Sequence, residues 1–266
     1  MKDLKTLQEL SMDHIRKIKE VSFMDPISLI SLILFITLGG VLIGGGVHFI
    51  PVGGAPAAMS TATGVGTGTA MLAAGAGLTG LVTAAVMQGQ PVYIIALAGA
   101  VGTMLMMGLT MVAGNIIYVF GIGVVPSSAK VDVDPITGRD QEKYVTPGTE
   151  GHGVQTVCFV SGIIGGFLAG AGGGIAYYAI ETAITNGKFV TEAVLASNPL
   201  LVSGLAAILA FGVLFVNAVV ASYNIGGTIE GFHDPKFKRI GTGILACGIV
   251  SLVMGIFAVI LTGGVV

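Results

Sequence analysis

The chain is built from long apolar runs separated by short polar breaks, with little of the two-residue alternation that marks half-buried strands. Six runs stand out, at about 26–50, 70–88, 92–125, 154–180, 199–222 and 240–262. They are near or above the roughly 18 to 20 residues that cross a hydrocarbon core about 30 Å thick at 1.5 Å rise per residue. The third run is longer than one crossing needs, and reads either as one tilted helix or as a helix broken near Gly114 and Asn115. The pattern predicts an all-α polytopic membrane protein, a bundle of about six transmembrane helices.

The polar breaks supply the remaining organisation. Residues 1–23 place Leu4, Leu7, Leu10, Ile15 and Ile18 near helical spacing, with Lys2, Lys5, Arg16, Lys17 and Lys19 off that stripe. Such a segment suits an amphipathic arm on an anionic membrane surface, and a natural start at Met24 is the alternative reading. Residues 24–266 then form the transmembrane domain, with polar loops at 127–153 and 223–239. The first loop carries Lys130, Arg139 and Lys143, the second Lys236, Lys238 and Arg239. Two crossings separate them, so they share a side, and their basic residues make that side cytoplasmic. Six simple crossings would put the arm on the opposite side, although it holds five basic residues. Charge and parity disagree there, unless an extra crossing hides in 44–69 or in the long third run.

Composition agrees with a lipid solvent: 10% of residues are charged, 53% are hydrophobic, and no Asp, Glu, Lys or Arg occurs between Pro26 and Ala129. A soluble domain is about a quarter charged. The 43 glycines argue for closely packed helix backbones. Gly162, Gly166, Gly170 and Gly174 recur every four residues and predict one tight helix contact. A formal net charge of −2 leaves no nucleic-acid footprint, and the two cysteines, Cys158 and Cys247, lie in apolar runs without zinc spacing.

The stretch from Gly44 to Thr69 is the main candidate for chemistry. Its "GVGTGT" lacks the Lys and the spacing of a phosphate loop, so it reads as irregular backbone near the first two spans, bounded by Pro51 and Pro56. Its carbonyls and hydroxyls, Thr67 and Thr69 among them, would suit a hard cation; a packed turn is the competing reading. The polar groups near or inside spans are His48, Asn115, Asn217 and Glu181, and these complete the candidate ion path. The loop from Asp132 to Lys143 fails the calcium pattern, with Ile136, Thr137 and Lys143 at the decisive positions. No serine–histidine–aspartate set or carboxylate pair is placed for covalent work, so no catalytic residue is assigned. A faint repeat is visible as well: Pro91, Asn115, Asp134-Pro135 and Cys158 match Pro199, Asn217, Asp234-Pro235 and Cys247.

The segments "GGVHFIPVGGAPAAMSTATGVGTGTAMLAAGAGLTGL", "GNIIYVFGIGVVPSSAKVDVDPITGRDQEKYVTPGTEGHG" and "TVCFVSGIIGG", with "GFHDPKFKR" further on, resemble the D-subunit family of tetrahydromethanopterin S-methyltransferase from methanogenic archaea. The C and E membrane subunits of the same complex are the neighbouring alternatives. The resemblance implies an integral component of a complex in the cell membrane that moves a methyl group from methyl-tetrahydromethanopterin to coenzyme M and couples this to sodium export. It also implies that this chain is non-catalytic and binds no cofactor, that the corrinoid sits on the A subunit of the complex, and that sodium is the transported species. The C and E subunits would be its membrane partners. A stand-alone transporter or channel, suggested by the repeat, and a purely structural membrane scaffold are the rival readings.

Overall fold

The computed structural model describes residues 24–50, 62–116, 128–129, 133, 143–146, 149–153, 155–187, 198–225 and 239–262. Within them six helices follow one another: α1 Pro26–Phe49, α2 Ala62–Val86, α3 Val92–Ile116, α4 Gln155–Asn186, α5 Pro199–Ile225 and α6 Ile240–Leu261. Five are long and apolar enough to cross a membrane, α2 being the one with a shorter described apolar part, and the chain is a multi-pass α-helical membrane protein. The arm 1–23 lies outside the described residues.

Local chemistry sets the helix starts. Asp25 caps α1: its carboxylate accepts from the Ser28 amide at 3.1 Å and the Ser28 hydroxyl at 2.6 Å, and Pro26 occupies the first turn. Those Ser28 hydrogen bonds hold the Asp25 carboxyl below its usual value. Helices α3 and α5 also start at a proline, α3 directly after Pro91 and α5 with Pro199 as its first residue. Between α2 and α3 the turn closes at Gly89, whose φ of 81° suits a residue without Cβ.

Consecutive helices run antiparallel, whereas α1 and α5 pack side by side in the same direction, with Gly40 against Asn217 and His48 against Asn224. Helix α4 is the hub, and glycine lets three sides of it approach other helices. Facing α1, a Cβ on Gly165 would lie 2.6 Å from the Gly46 carbonyl, while Gly172 abuts Gly39. Facing α3, Gly166 meets Met104 and Met107, and Gly174 meets Ile95 and Ala96. Gly173 makes room for Leu214 of α5. The expected ladder is therefore real at Gly166, Gly170 and Gly174, and a second small-residue row, Gly165, Ala169, Gly172 and Ala176, carries the α1 contact. The outer faces are as apolar as the inner ones but bulkier, as with Leu97, Val101, Leu105 and Leu109 of α3. Lipid tails accept such residues, so helix packing is decided by size.

Two expectations change. Helix α2 starts at Ala62, so "GVGTGT" is helical and its carbonyls enter a helical ladder; the irregular segment predicted there is not found, and 51–61 lie outside the described residues. Small residues cost less in a packed membrane helix than their propensity in water suggests. The 127–153 break, expected to be a loop, holds a small antiparallel sheet of β1 Ser128–Ala129, β2 Lys143–Thr146 and β3 Thr149–Gly153, in the order β1-β3-β2. Ser128 pairs with Gly153 and Lys143 with His152. Two residues, Pro147-Gly148, separate the paired Thr146 and Thr149, a hairpin spacing. In the long third run the described residues are helical through Gly114 and Asn115 to Ile116, and 117–125 lie outside the described residues.

Candidate functional site

Polar side chains inside an apolar bundle must find partners, because lipid and packed helices offer no water. Among the described residues, Thr83 and Ser161 donate to the Ala98 and Phe49 carbonyls, while side-chain clusters form at three levels along α5. Ser203, Asn217 and Asn224 recur at multiples of seven residues, with the small, fully buried Ala210 completing the row. Seven-residue steps drift by only about 20° on a straight helix, so the row stays on one broad face.

At the end where α1 begins, Tyr177 of α4 hydrogen-bonds Ser203 at 2.7 Å, and Ser203 donates to Gln88 Oε1 at 2.9 Å. Gln88 Nε2 in turn donates to Glu181 Oε1 at 3.1 Å, and the Thr185 hydroxyl reaches the same oxygen at 3.3 Å. Because Ser203 uses its proton on Gln88, it accepts from Tyr177, and every donor in this chain points toward the carboxylate. Glu181 is five residues from the end of α4 at Asn186, or about 8 Å along the axis. Gln88 reaches it from the turn between α2 and α3.

At the middle level Asn217 is fully buried. Its Nδ2 donates to the Val213 carbonyl and to Ser251 Oγ, both at 2.8 Å, and its Oδ1 accepts from Ser251 at 3.1 Å. The Cys247 thiol donates to the Asn217 carbonyl at 3.5 Å. Gly40 of α1 leaves the space, since a Cβ there would sit 3.0 Å from Asn217 Nδ2.

At the opposite end His48 of α1 is also fully buried. Its Nδ1 faces the Gly44 carbonyl at 2.6 Å and its Nε2 faces Asn224 Nδ2 at 3.0 Å. The same Asn224 nitrogen donates to the Arg239 carbonyl at 2.9 Å, which fixes the amide orientation. A carbonyl partner requires a proton on Nδ1 and an amide donor requires a lone pair on Nε2, so the ring is neutral with one tautomer.

A sequence profile described as the D subunit of tetrahydromethanopterin S-methyltransferase matches residues 29–251. Similar proteins of that description come from Methanothermobacter marburgensis, 66% identical over 241 residues that cover 91% of this chain and 99% of the relative; from Methanopyrus kandleri, 56% identical over 230 residues, 86% of this chain and 94% of the relative; and from Methanocaldococcus jannaschii, 53% identical over 244 residues, 90% and 99%. The chain belongs to the D-subunit family of tetrahydromethanopterin S-methyltransferase. As a member of the D-subunit family it is one component of a methyltransferase complex, and the other components are its partners.

In this D-subunit chain the candidates named from the sequence divide. Glu181, Asn217 and His48 each enter a polar cluster, at three different levels. Asn115, Thr67 and Thr69 lie on the helical backbone of α3 and α2, but their side chains fall outside the described residues. Sequence reasoning missed Gln88, Ser203, Ser251 and Asn224. The seven-residue spacing of Ser203, Asn217 and Asn224 was the available signal. No group of three or more His, Cys, Asp or Glu is placed to hold a metal among the described residues.

Proposed function

We propose that this chain is an integral cell-membrane component that forms or frames the sodium path of the methyl-tetrahydromethanopterin:coenzyme M methyltransferase complex. In this reading it is non-catalytic and binds no cofactor of its own, the corrinoid is held by the A subunit, and the C and E subunits are its membrane neighbours. Sodium is the cargo. The observation that carries the reading is the polar row on α5, which meets a carboxylate cluster at one end of the bundle and a histidine cluster at the other. A bundle that only held other proteins together would have little need of polar clusters at three separate levels, since burying polar groups is costly.

The row is closed in this structure. Between Ser203 and Asn217, about 21 Å along the helix, the buried face of α5 offers only Ala206, Ala210, Val213 and Leu214. Passage therefore requires a second conformation, and coupling requires that methyl transfer bias the two. The test is the complex reconstituted in vesicles with Glu181→Leu and Gln88→Leu in this chain. Assembly is expected to survive and sodium uptake driven by methyl transfer to be lost. Unchanged uptake would overturn the proposal and leave the scaffold reading, which the full hydrogen bonding of Asn217 favours.

A further inference from the structure

The cluster around Asn224 does more than satisfy buried atoms. Asn224 is the second-to-last residue of α5, and Arg239 immediately precedes α6. One amide nitrogen joins the backbone of Arg239 to the ring of His48, at 2.9 Å and 3.0 Å. The Arg239 guanidinium returns to the Asn224 carbonyl at 3.4 Å. Three helix ends thus converge on one small side chain: the end of α5, the start of α6 and the last turn of α1. Gly243 completes the arrangement, because a Cβ there would fall 2.8 Å from His48 Nε2 and 2.9 Å from Asn224 Nδ2. Neither Nδ2 hydrogen can be given up without cost. Turning the amide over would point an oxygen at the Arg239 carbonyl, and moving Arg239 pulls the same nitrogen away from His48.

We infer that Asn224 is a positioning residue: it transmits any shift between the α5 and α6 ends to His48, and through His48 Nδ1 to the Gly44 backbone of α1. This rests on the proposed sodium-path reading and adds the element that links that path to the α5–α6 end of the molecule. Helix α1 packs on Asn217 and Ser251 through Gly40, one turn from Gly44, so a displaced His48 is felt at the middle of the row. Because one amide nitrogen serves both partners, a displacement at Arg239 and a displacement at His48 are mechanically linked.

The experiment uses the whole complex in vesicles with Asn224→Asp and Asn224→Ala, measuring methyl transfer and sodium moved in the same preparation. Asp keeps the shape but cannot donate to Arg239. With Asn224→Asp, methyl transfer is expected to continue while sodium moved per methyl falls about fivefold or more, the lower end of a typical coupling factor. A ratio equal to that of the unaltered complex, or methyl transfer and sodium movement falling in proportion, would overturn the inference. Failure of both variants to assemble would assign Asn224 a structural role only and also overturn it. Glu181→Leu separates the two proposals. If it abolishes sodium movement while Asn224→Asp changes nothing, only this inference fails; if neither variant matters, the functional reading fails with it.

Discussion

Thr103 of α3 shows how tightly glycine closes this bundle. Its hydroxyl is fully buried and is the one buried side-chain oxygen without a hydrogen-bond partner among the described residues. A Cβ on Gly170 would lie 2.6 Å from it, so the oxygen rests on glycine backbone of α4. Leaving a buried hydroxyl unpaired costs about 1–3 kcal/mol, so Thr103→Val is expected to be neutral or to raise the unfolding temperature of the solubilised complex. A marked loss of stability would mean that the hydroxyl has a partner in the assembled protein. Asp25 is the opposite case, an exposed group with two donors from Ser28. Its carboxyl titrates below the usual value, so its help to the start of α1 is present above the unfolded-state pKa and fades as pH falls through the lowered one. Exchange of the Ser28 amide should accelerate over that acid range, and Asp25→Asn should flatten the response. Asp25 was legible as a cap from "DPISLI", whereas Thr103 gave no signal, because its isolation depends on which glycines stand opposite.

Helix α4 concentrates the small residues that set the packing. Gly172→Leu would drive a branched side chain into the Gly39 backbone, and overpacking of this kind costs about 1–3 kcal/mol or more. Gly204→Leu on α5 is the matched control, since nothing lies within 4 Å of a Cβ there. Thermal stability or yield of the solubilised complex should fall for the first and stay near the parent value for the second. Equal behaviour would contradict the α1–α4 contact. The positions of α1, α3, α5 and α6 follow the apolar runs closely, with starts at Pro26, Val92, Pro199 and Ile240. Helix α2 starts earlier than expected because glycine and threonine read as breaks by the habits of water-soluble helices. Helix α4 runs on to Asn186 because Glu181 is accommodated by Gln88 and Thr185. The sheet at 128–153 was not legible, since its strands are two to five residues long and lie in a polar break.

Contacts between helix ends define the two faces of the molecule. Gly187 approaches Thr262, and Gln88 meets Glu181, at the end where Asp25 begins α1. His48, Asn224 and Arg239 meet at the other end, where β3 leads into α4. A cysteine introduced at the exposed Arg239 position should therefore react from one side of sealed vesicles, and those at the exposed Asp25 and Gln90 positions from the other. Labelling of Asp25 and Arg239 positions from the same side would refute six crossings. The same arrangement places the described helix ends that flank the two basic breaks, at Gln155, Asn224 and Arg239, on the face opposite the start of α1. Residue order alone determined that this chain is built from membrane-length apolar helices and which polar residues it has available, because these follow from run length and composition. Only the tertiary structure decided which of them meet. With hydrophobic residues on every side of each helix, no amphipathic stripe marks the interior; the choice falls to glycine against glycine and donor against acceptor, and such matches exist only once the helices are packed.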